Sequence, residues 1–313
     1  MSRNGDLICV IKKAVARILC SQTTFELFQN LGIHVMPKHF YSPIPDTKML
    51  ELKRDLWRET QLVGVDLNLE RQVDLLQNVL AKFSHECSFP LNKTASPYTY
   101  YINNNGVFEF ISAVVLHAMI RHFVPRTIIE IGSGNSTYVS ARASLMNRSD
   151  GQITKLISID PYPNQILKKG FPGLWKLIPK KVEEINVDFF SQLEDRDILF
   201  VDSSHVVRIG GDVNFLYLEV LPRLKAGVIV HIHDIFFPRH YPKDWVIQRR
   251  RFWSEQYLLQ AFLTHNNQFE VLWCGSYMYR LHLERMKSIF PPLKGLGLRE
   301  NYFSSSFWMR RIT

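Results

Sequence analysis

Cysteine is scarce in this chain. Its four residues, Cys9, Cys20, Cys87 and Cys274, are scattered and form no C-x-x-C pair. That excludes a disulfide scaffold or a zinc knuckle as the organising device, and a reducing cytoplasm is the expected setting. Long apolar runs are also missing. Leu7 to Ile11 is followed at once by Lys12-Lys13, which is too short for a bilayer span or a secretory signal and flanked the wrong way round. With no export signal expected, the Asn-x-Ser/Thr matches at Asn92, Asn135 and Asn147 are read as accidental. No internal repeat and no low-complexity segment appears.

What is present is an ordinary globular composition. With 313 residues, 46% apolar and 21% charged, the chain is long enough for one large domain with an extension, or for two small domains. The net charge of +9 permits an anionic partner without identifying one. Its excess lies in Lys12-Lys13, Lys168-Lys169, Lys180-Lys181, Arg249-Arg250-Arg251 and Arg310-Arg311, which read as solvated surface. Residues 6–20 place Ile8, Ile11, Val15, Ile18 and Leu19 on one helical face, away from Lys12, Lys13 and Arg17. Such a helix docks on its own domain or on a second subunit, or lies on an anionic membrane surface.

Helical patterns follow at 46–60 and 66–83, and Val107 to Phe123 reads as a helix that stops before Pro125. Thereafter strand and helix patterns alternate, which predicts a doubly wound α/β sheet, Rossmann-like. The predicted strands are 127–131, 155–159, 182–187, 197–201, 228–233, 269–273 and 277–282. The last two are joined as a hairpin by Cys274-Gly275-Ser276, so the sheet is expected to be mostly parallel with an antiparallel C-terminal strand. The expected division is a helical extension at 1–106, a catalytic domain at 107–282 and a basic, aromatic tail at 283–313.

The most informative stretch is Thr127 to Ser136, T-I-I-E-I-G-S-G-N-S. An apolar β-branched run leads into Gly132-Ser133-Gly134, where a tight turn lets the backbone approach a ligand. A dinucleotide loop would continue to a third glycine, but Thr137 stands there and the acid, Glu130, precedes the glycines. Acid-x-Gly-x-Gly suits a cofactor with an ammonium group and no pyrophosphate. It resembles the first motif of class I S-adenosylmethionine (SAM)-dependent methyltransferases, and the sheet pattern over 107–282 resembles their fold.

Ligands of open α/β sheets bind outside the carboxyl ends of the strands. The second strand ends in Asp160, a candidate to accept both ribose hydroxyls, and the third in Asp188, a candidate partner of the adenine amino group. The fourth ends in Asp202-Ser203-Ser204-His205 and the fifth in His231-Ile232-His233-Asp234. His231, a residue pair deeper, reads as a core histidine, whereas His205, His233 and Asp234 are candidate catalytic residues at the rim. Asp212 reads as a helix cap or a site residue, and Glu255 and Tyr257 as candidate substrate contacts. No G-x-S-x-G elbow surrounds Ser203 and Ser204, so a hydrolase triad is not indicated.

D-x-x-H after one strand and x-D after the next is similar to the metal-assisted O-methyltransferases of the catechol and macrocin types. That resemblance implies Asp202 and Asp234 as ligands of magnesium and His205 as general base. Two departures stand out. His233 occupies a position where the macrocin-like branch has an acid, and Ile235 one where the catechol type has an amide. Imidazole in place of an oxygen donor admits a softer divalent metal, or none. Similarity to bacterial proteins found with sugar and polysaccharide genes implies a small-molecule or glycosylated acceptor. The competing readings are a nucleic-acid methyltransferase and a SAM-binding protein without turnover. The first is supported only by charge, because the chain lacks a Pro-Cys dipeptide and Ser96-Pro97-Tyr98 only approaches an Asn-Pro-Pro-Tyr motif.

Overall fold

A computed structural model describes residues 3–103, 106–290 and 304–313, with side chains from residue 11 onward. The chain divides into two compact units, Met1–Leu56 and Trp57–Thr313. The first contains helices Arg3–Leu19, Gln22–Asn30 and Thr47–Leu52. None of its described side chains is buried, and Ile11, Val15 and Ile18 are exposed. Among the described residues, no helix is long and apolar enough to cross a membrane.

The second unit is built on seven strands: β1 (Thr127–Ile131), β2 (Lys155–Ile159), β3 (Leu174–Ile178), β4 (Ile198–Val201), β5 (Ile229–Ile232), β6 (Phe269–Cys274) and β7 (Phe307–Arg311). Their order is β3-β2-β1-β4-β5-β7-β6, with β7 antiparallel to both of its neighbours. The expected Rossmann-like sheet, mostly parallel with an antiparallel C-terminal strand, is therefore present. The chain reverses its direction of winding between β1 and β4, and the ligand crevice of such sheets opens at that point.

Two predicted strands fall elsewhere. Residues 182–187 include a short 3-10 turn, Val182–Glu184, and the edge strand is Leu174–Ile178 instead. Its Trp175 and Lys176 face solvent, so it lacks the apolar run by which buried strands are recognised. Residues 277–282 belong to a helix, Gly275–Ile289, so Cys274-Gly275-Ser276 is a strand-to-helix junction and not a hairpin turn. Met278, Tyr279 and Met286 are buried, a helical spacing that outweighs the alternation of Tyr277, Tyr279 and Leu281. The antiparallel strand comes from Phe307–Arg311.

Helices cover both faces. On one, Phe110–Phe123 and Asn135–Ser149 pack with Ile128, Leu156, Phe200 and Trp308. On the other, Leu62, Val213, Tyr217 and Leu259 pack with Ile129, Leu199 and Val230. His231 belongs to the first layer, with ring centroids 4.0 Å from Phe200 and 4.1 Å from Trp308. Burial pushes its pKa well below the ordinary value, so it is a neutral core histidine, in line with its depth along β5.

Candidate active site

The strand ends are levelled by backbone hydrogen bonds. Gly132 N donates to Ile159 O, Asp202 N to Ile131 O and His233 N to Val201 O, each at 2.9 Å. Residues immediately after β1, β2, β4 and β5 thus share one edge of the sheet.

At the β1–β2 end, Gly132 has φ +83°, and a Cβ there would overlap the Asp202 carbonyl oxygen. Only glycine lets the two loops close against each other. Over Gly134, the space where a side chain would begin is open for 4 Å. The next helix, Asn135–Ser149, starts here with Gly134 N donating to Thr137 Oγ1 at 2.9 Å. Thr137, in place of a third glycine, is therefore a helix cap. Asp160 accepts from Ser133 N at 3.1 Å, from Ser133 Oγ and from Tyr162 N at 2.7 Å. Glu130 is fully buried; Oε1 accepts from Ser136 Oγ at 2.6 Å, while Oε2 has no partner. Burial raises its pKa to about 8, outweighing the hydroxyl contacts. A buried acid lacking a donor and an open loop beside it fit the ammonium and backbone of an amino-acid ligand. Asp188 is exposed at the start of a 3-10 turn, Val187–Gln192, apart from this hydrogen-bonded group.

The β4–β5 end is denser. His205, at φ +59°, points Nδ1 at Glu255 Oε2 (2.8 Å) and Nε2 at Asp202 Oδ1 (3.4 Å) and Asp234 Oδ2 (3.7 Å). His233 places Nδ1 3.6 Å from Asp202 Oδ1 and 3.6 Å from Asp234 Oδ1. Its Nε2 lies 3.3 Å from both Glu109 Oε2 and Ser305 Oγ, and Ser305 also donates to Asp234 Oδ1 at 3.0 Å. Burial alone would lower the pKa of His205, but contacts with Asp202 and Glu255 and the charge of Asp234 push it up to about 10. The same balance, with the charges of Asp234 and Asp202 prevailing, raises His233 well above its ordinary value. Asp202 is held low because His233 and His205 outweigh its desolvation. The two carboxylates thus face two imidazoles whose charged forms they favour.

Donor atoms of Asp202, His205 and Asp234 lie within 4.8 Å of one another, as do those of Glu109, His233 and Asp234. This mixed oxygen and nitrogen set fits a borderline divalent ion better than magnesium, which favours oxygen alone.

Sequence reasoning missed Glu109 and Ser305. Glu109 immediately precedes helix Phe110–Phe123 and resembles a cap, and Ser305 lies in what read as a tail. Trp253, whose ring centroid lies 4.4 Å from that of His205, stands two residues ahead of helix Glu255–Leu263. Glu255 supports His205 from below, where a substrate contact was expected, and Tyr257 pairs with His240 at 3.1 Å, away from the group. Asp212 accepts from Ser204 N (2.7 Å) and Oγ (2.6 Å), pinning the loop that precedes His205.

A family model described as Methyltransferase domain matches residues 129–235. The sheet order, the glycine loop at its switch point and this match define a class I SAM-dependent methyltransferase. The chain belongs to one family with an uncharacterized protein of Archaeoglobus fulgidus, 32% identical over 168 residues, which cover 52% of this chain and 75% of the relative. Solved structures give weaker likenesses. CmcI with SAH has a TM-score of 0.32 at 14% identity, covering 73% of this chain and 91% of that one. CmcI with Mg and SAM has 0.33 at 13%, covering 80% and 97%. The O-methyltransferase from Bacillus cereus with SAH has 0.32 at 12%, covering 77% and 91%.

Proposed function

We propose that the protein transfers the methyl group of SAM to a hydroxyl oxygen of a small-molecule or sugar-containing acceptor. The observation that carries this reading is the His205–Glu255 pair facing Asp202 and Asp234, one strand away from the glycine loop. SAM supplies an electrophilic methyl group on a sulfonium. Glu130 and the backbone of Gly132, Ser133 and Gly134 receive its amino-acid end. Asp160 accepts from the ribose, and Asp202 lies next to the sulfur end. His205 Nε2 takes the acceptor proton, with Glu255 fixing the tautomer and supporting the imidazolium that forms. His233 and Asp234 complete the wall against which the acceptor oxygen is positioned.

Asp202, Glu255 and Asp234 favour the charged form of His205, so a second cation beside the aspartates is needed for it to act as a base. That requirement supports a divalent ion at the two aspartates, where it would acidify the acceptor hydroxyl. Cys20, Cys87 and Cys274 are free thiols, which supports a reducing, cytoplasmic setting.

Calorimetry with SAM on the wild type and Asp160→Ala tests the cofactor assignment. The variant should bind about 10-fold more weakly, the loss of a charge-assisted hydrogen bond. Transfer of isotope-labelled methyl to a panel of phenolic and sugar hydroxyls tests the reaction. Absence of SAM binding by the wild type would overturn the reading.

A further inference from the structure

Helix Asn135–Ser149 carries a cavity along its flank, apart from the strand ends. Tyr138, Ala141, Arg142, Leu145 and Ser149 line it at three- and four-residue spacing, so one face of the helix forms one wall. Phe89 and residues 98–100 supply a second wall, and Phe171 and Pro172 a third. The cavity measures about 300 Å³, room for a small ligand. Phe171 and Pro172 precede β3, whereas the glycine loop follows β1. In a parallel sheet these are opposite edges, so the cavity extends away from the cofactor crevice.

Each wall contributes rings. Tyr98 stacks on Phe171 with centroids 5.4 Å apart and planes 8° from parallel, and Phe171 meets Tyr138 edge-on at 5.3 Å. Phe89 meets Tyr100 edge-on at 4.9 Å. Rings that fix one another in this way present flat faces and edges to an occupant, which favours a planar aromatic body.

Among the lining residues Arg142 alone is charged. Its guanidinium lies 4.9 Å from the centroid of Phe89, and Nη2 donates to Glu86 O at 2.7 Å. Among the described residues no carboxylate pairs with it, and its Nε and Nη1 have no hydrogen-bond partner. The Glu86 carboxylate is engaged by Arg121 and His117. Desolvation lowers the pKa of Arg142, the mark of a cation short of compensation, and an anion in the cavity would supply it. One guanidinium balances one negative charge, and its planar fork matches the two oxygens of a carboxylate. We propose that this cavity is a second ligand site, that it takes a small aromatic carboxylate, and that Arg142 holds the carboxylate.

Calorimetry on the full chain tests this with 2-naphthoate as the probe. The wild type should bind it. The neutral 2-naphthamide, which keeps the ring, and cyclohexanecarboxylate, which keeps the charge, should each bind about 10-fold more weakly. Arg142→Gln should weaken 2-naphthoate about 10-fold or more and leave 2-naphthamide within about twofold. Retained amide binding also reports that this variant folds. Leu145→Trp, which fills the cavity and keeps the guanidinium, should weaken both ligands. No binding of 2-naphthoate by the wild type, equal affinity for the amide, or unchanged affinity in either variant would each overturn the proposal. Tighter binding of phenyl phosphate than of 2-naphthoate would overturn the ligand class. Displacement of 2-naphthoate by SAM would put the probe in the cofactor crevice and overturn the second site, whereas a protein that binds 2-naphthoate but not SAM would refute only the methyltransferase reading.

Discussion

The two ends of the ligand edge are built on different scales. At the β1–β2 end the defining contact, Ser133 to Asp160, spans 27 residues, and the loop that makes it is contiguous. At the β4–β5 end, His205 meets Glu255 across 50 residues, Ser305 meets Asp234 across 71, and Glu109 meets His233 across 124. The first end is half-exposed with satisfied carboxylate oxygens at Asp160. The second is buried and crowded with charge. The proposed cofactor loop is thus a local structure, whereas the proposed catalytic group depends on the closure of the whole domain.

The widest damage is expected where the two ends touch. Gly132→Ala forces a Cβ into the Asp202 carbonyl at a positive φ, so both loops must move. Stability should fall by about 2–3 kcal/mol, and SAM affinity and turnover should both fall by about 100-fold or more. Denaturant unfolding with calorimetry measures this, and a variant with near-normal stability would mean that the ends are not mechanically joined.

Asp234→Asn separates the ends. It keeps the shape and the Ser305 contact while removing a charge, so turnover should drop about 100- to 1,000-fold with SAM affinity within about threefold. A parallel loss of SAM binding would show that the edge acts as one unit.

Glu130 gives the smallest effect and a definite sign. Its folded pKa is raised from 4.5 to about 8, so the unliganded fold carries an extra proton between those values and loses stability as pH rises through them. An ammonium partner favours the carboxylate, so SAM binding at pH 7 should release a proton from Glu130. Affinity should therefore climb with pH toward 8, by at most about 10-fold per unit. Calorimetry in two buffers of different ionisation enthalpy counts the proton, and Glu130→Gln should flatten the dependence.

The same contrast explains what was legible in the sequence. The parallel strands β1, β2, β4 and β5 are apolar runs ending in acids, and their positions were readable because burial on both faces demands that composition. Glu130 within β1, and Gly132, Asp160, Asp202, His205, His233 and Asp234 just beyond the ends of such strands, were marked as candidates for the same reason. The edge strand β3 and the antiparallel β7 escaped because half-exposed and arginine-containing strands lose that signature. Glu109 and Ser305 escaped because each is drawn to the site by tertiary packing, with no local pattern to mark it. Asp188 was marked as the end of a predicted third strand, but that strand is Leu174–Ile178, and Asp188 falls in a 3-10 turn outside the hydrogen-bonded group.

Strand β7 follows β6 in sequence yet lies between β6 and β5. Until it inserts, both neighbours present an unpaired edge, a template for the wrong partner. Ser305, two residues ahead of β7, enters the His233–Asp234 group with the same insertion. Order of assembly therefore matters here. A nascent chain that has made its first five strands holds the glycine loop but not the complete His233–Asp234 group, so the proposed site is finished only with the last piece of the sheet.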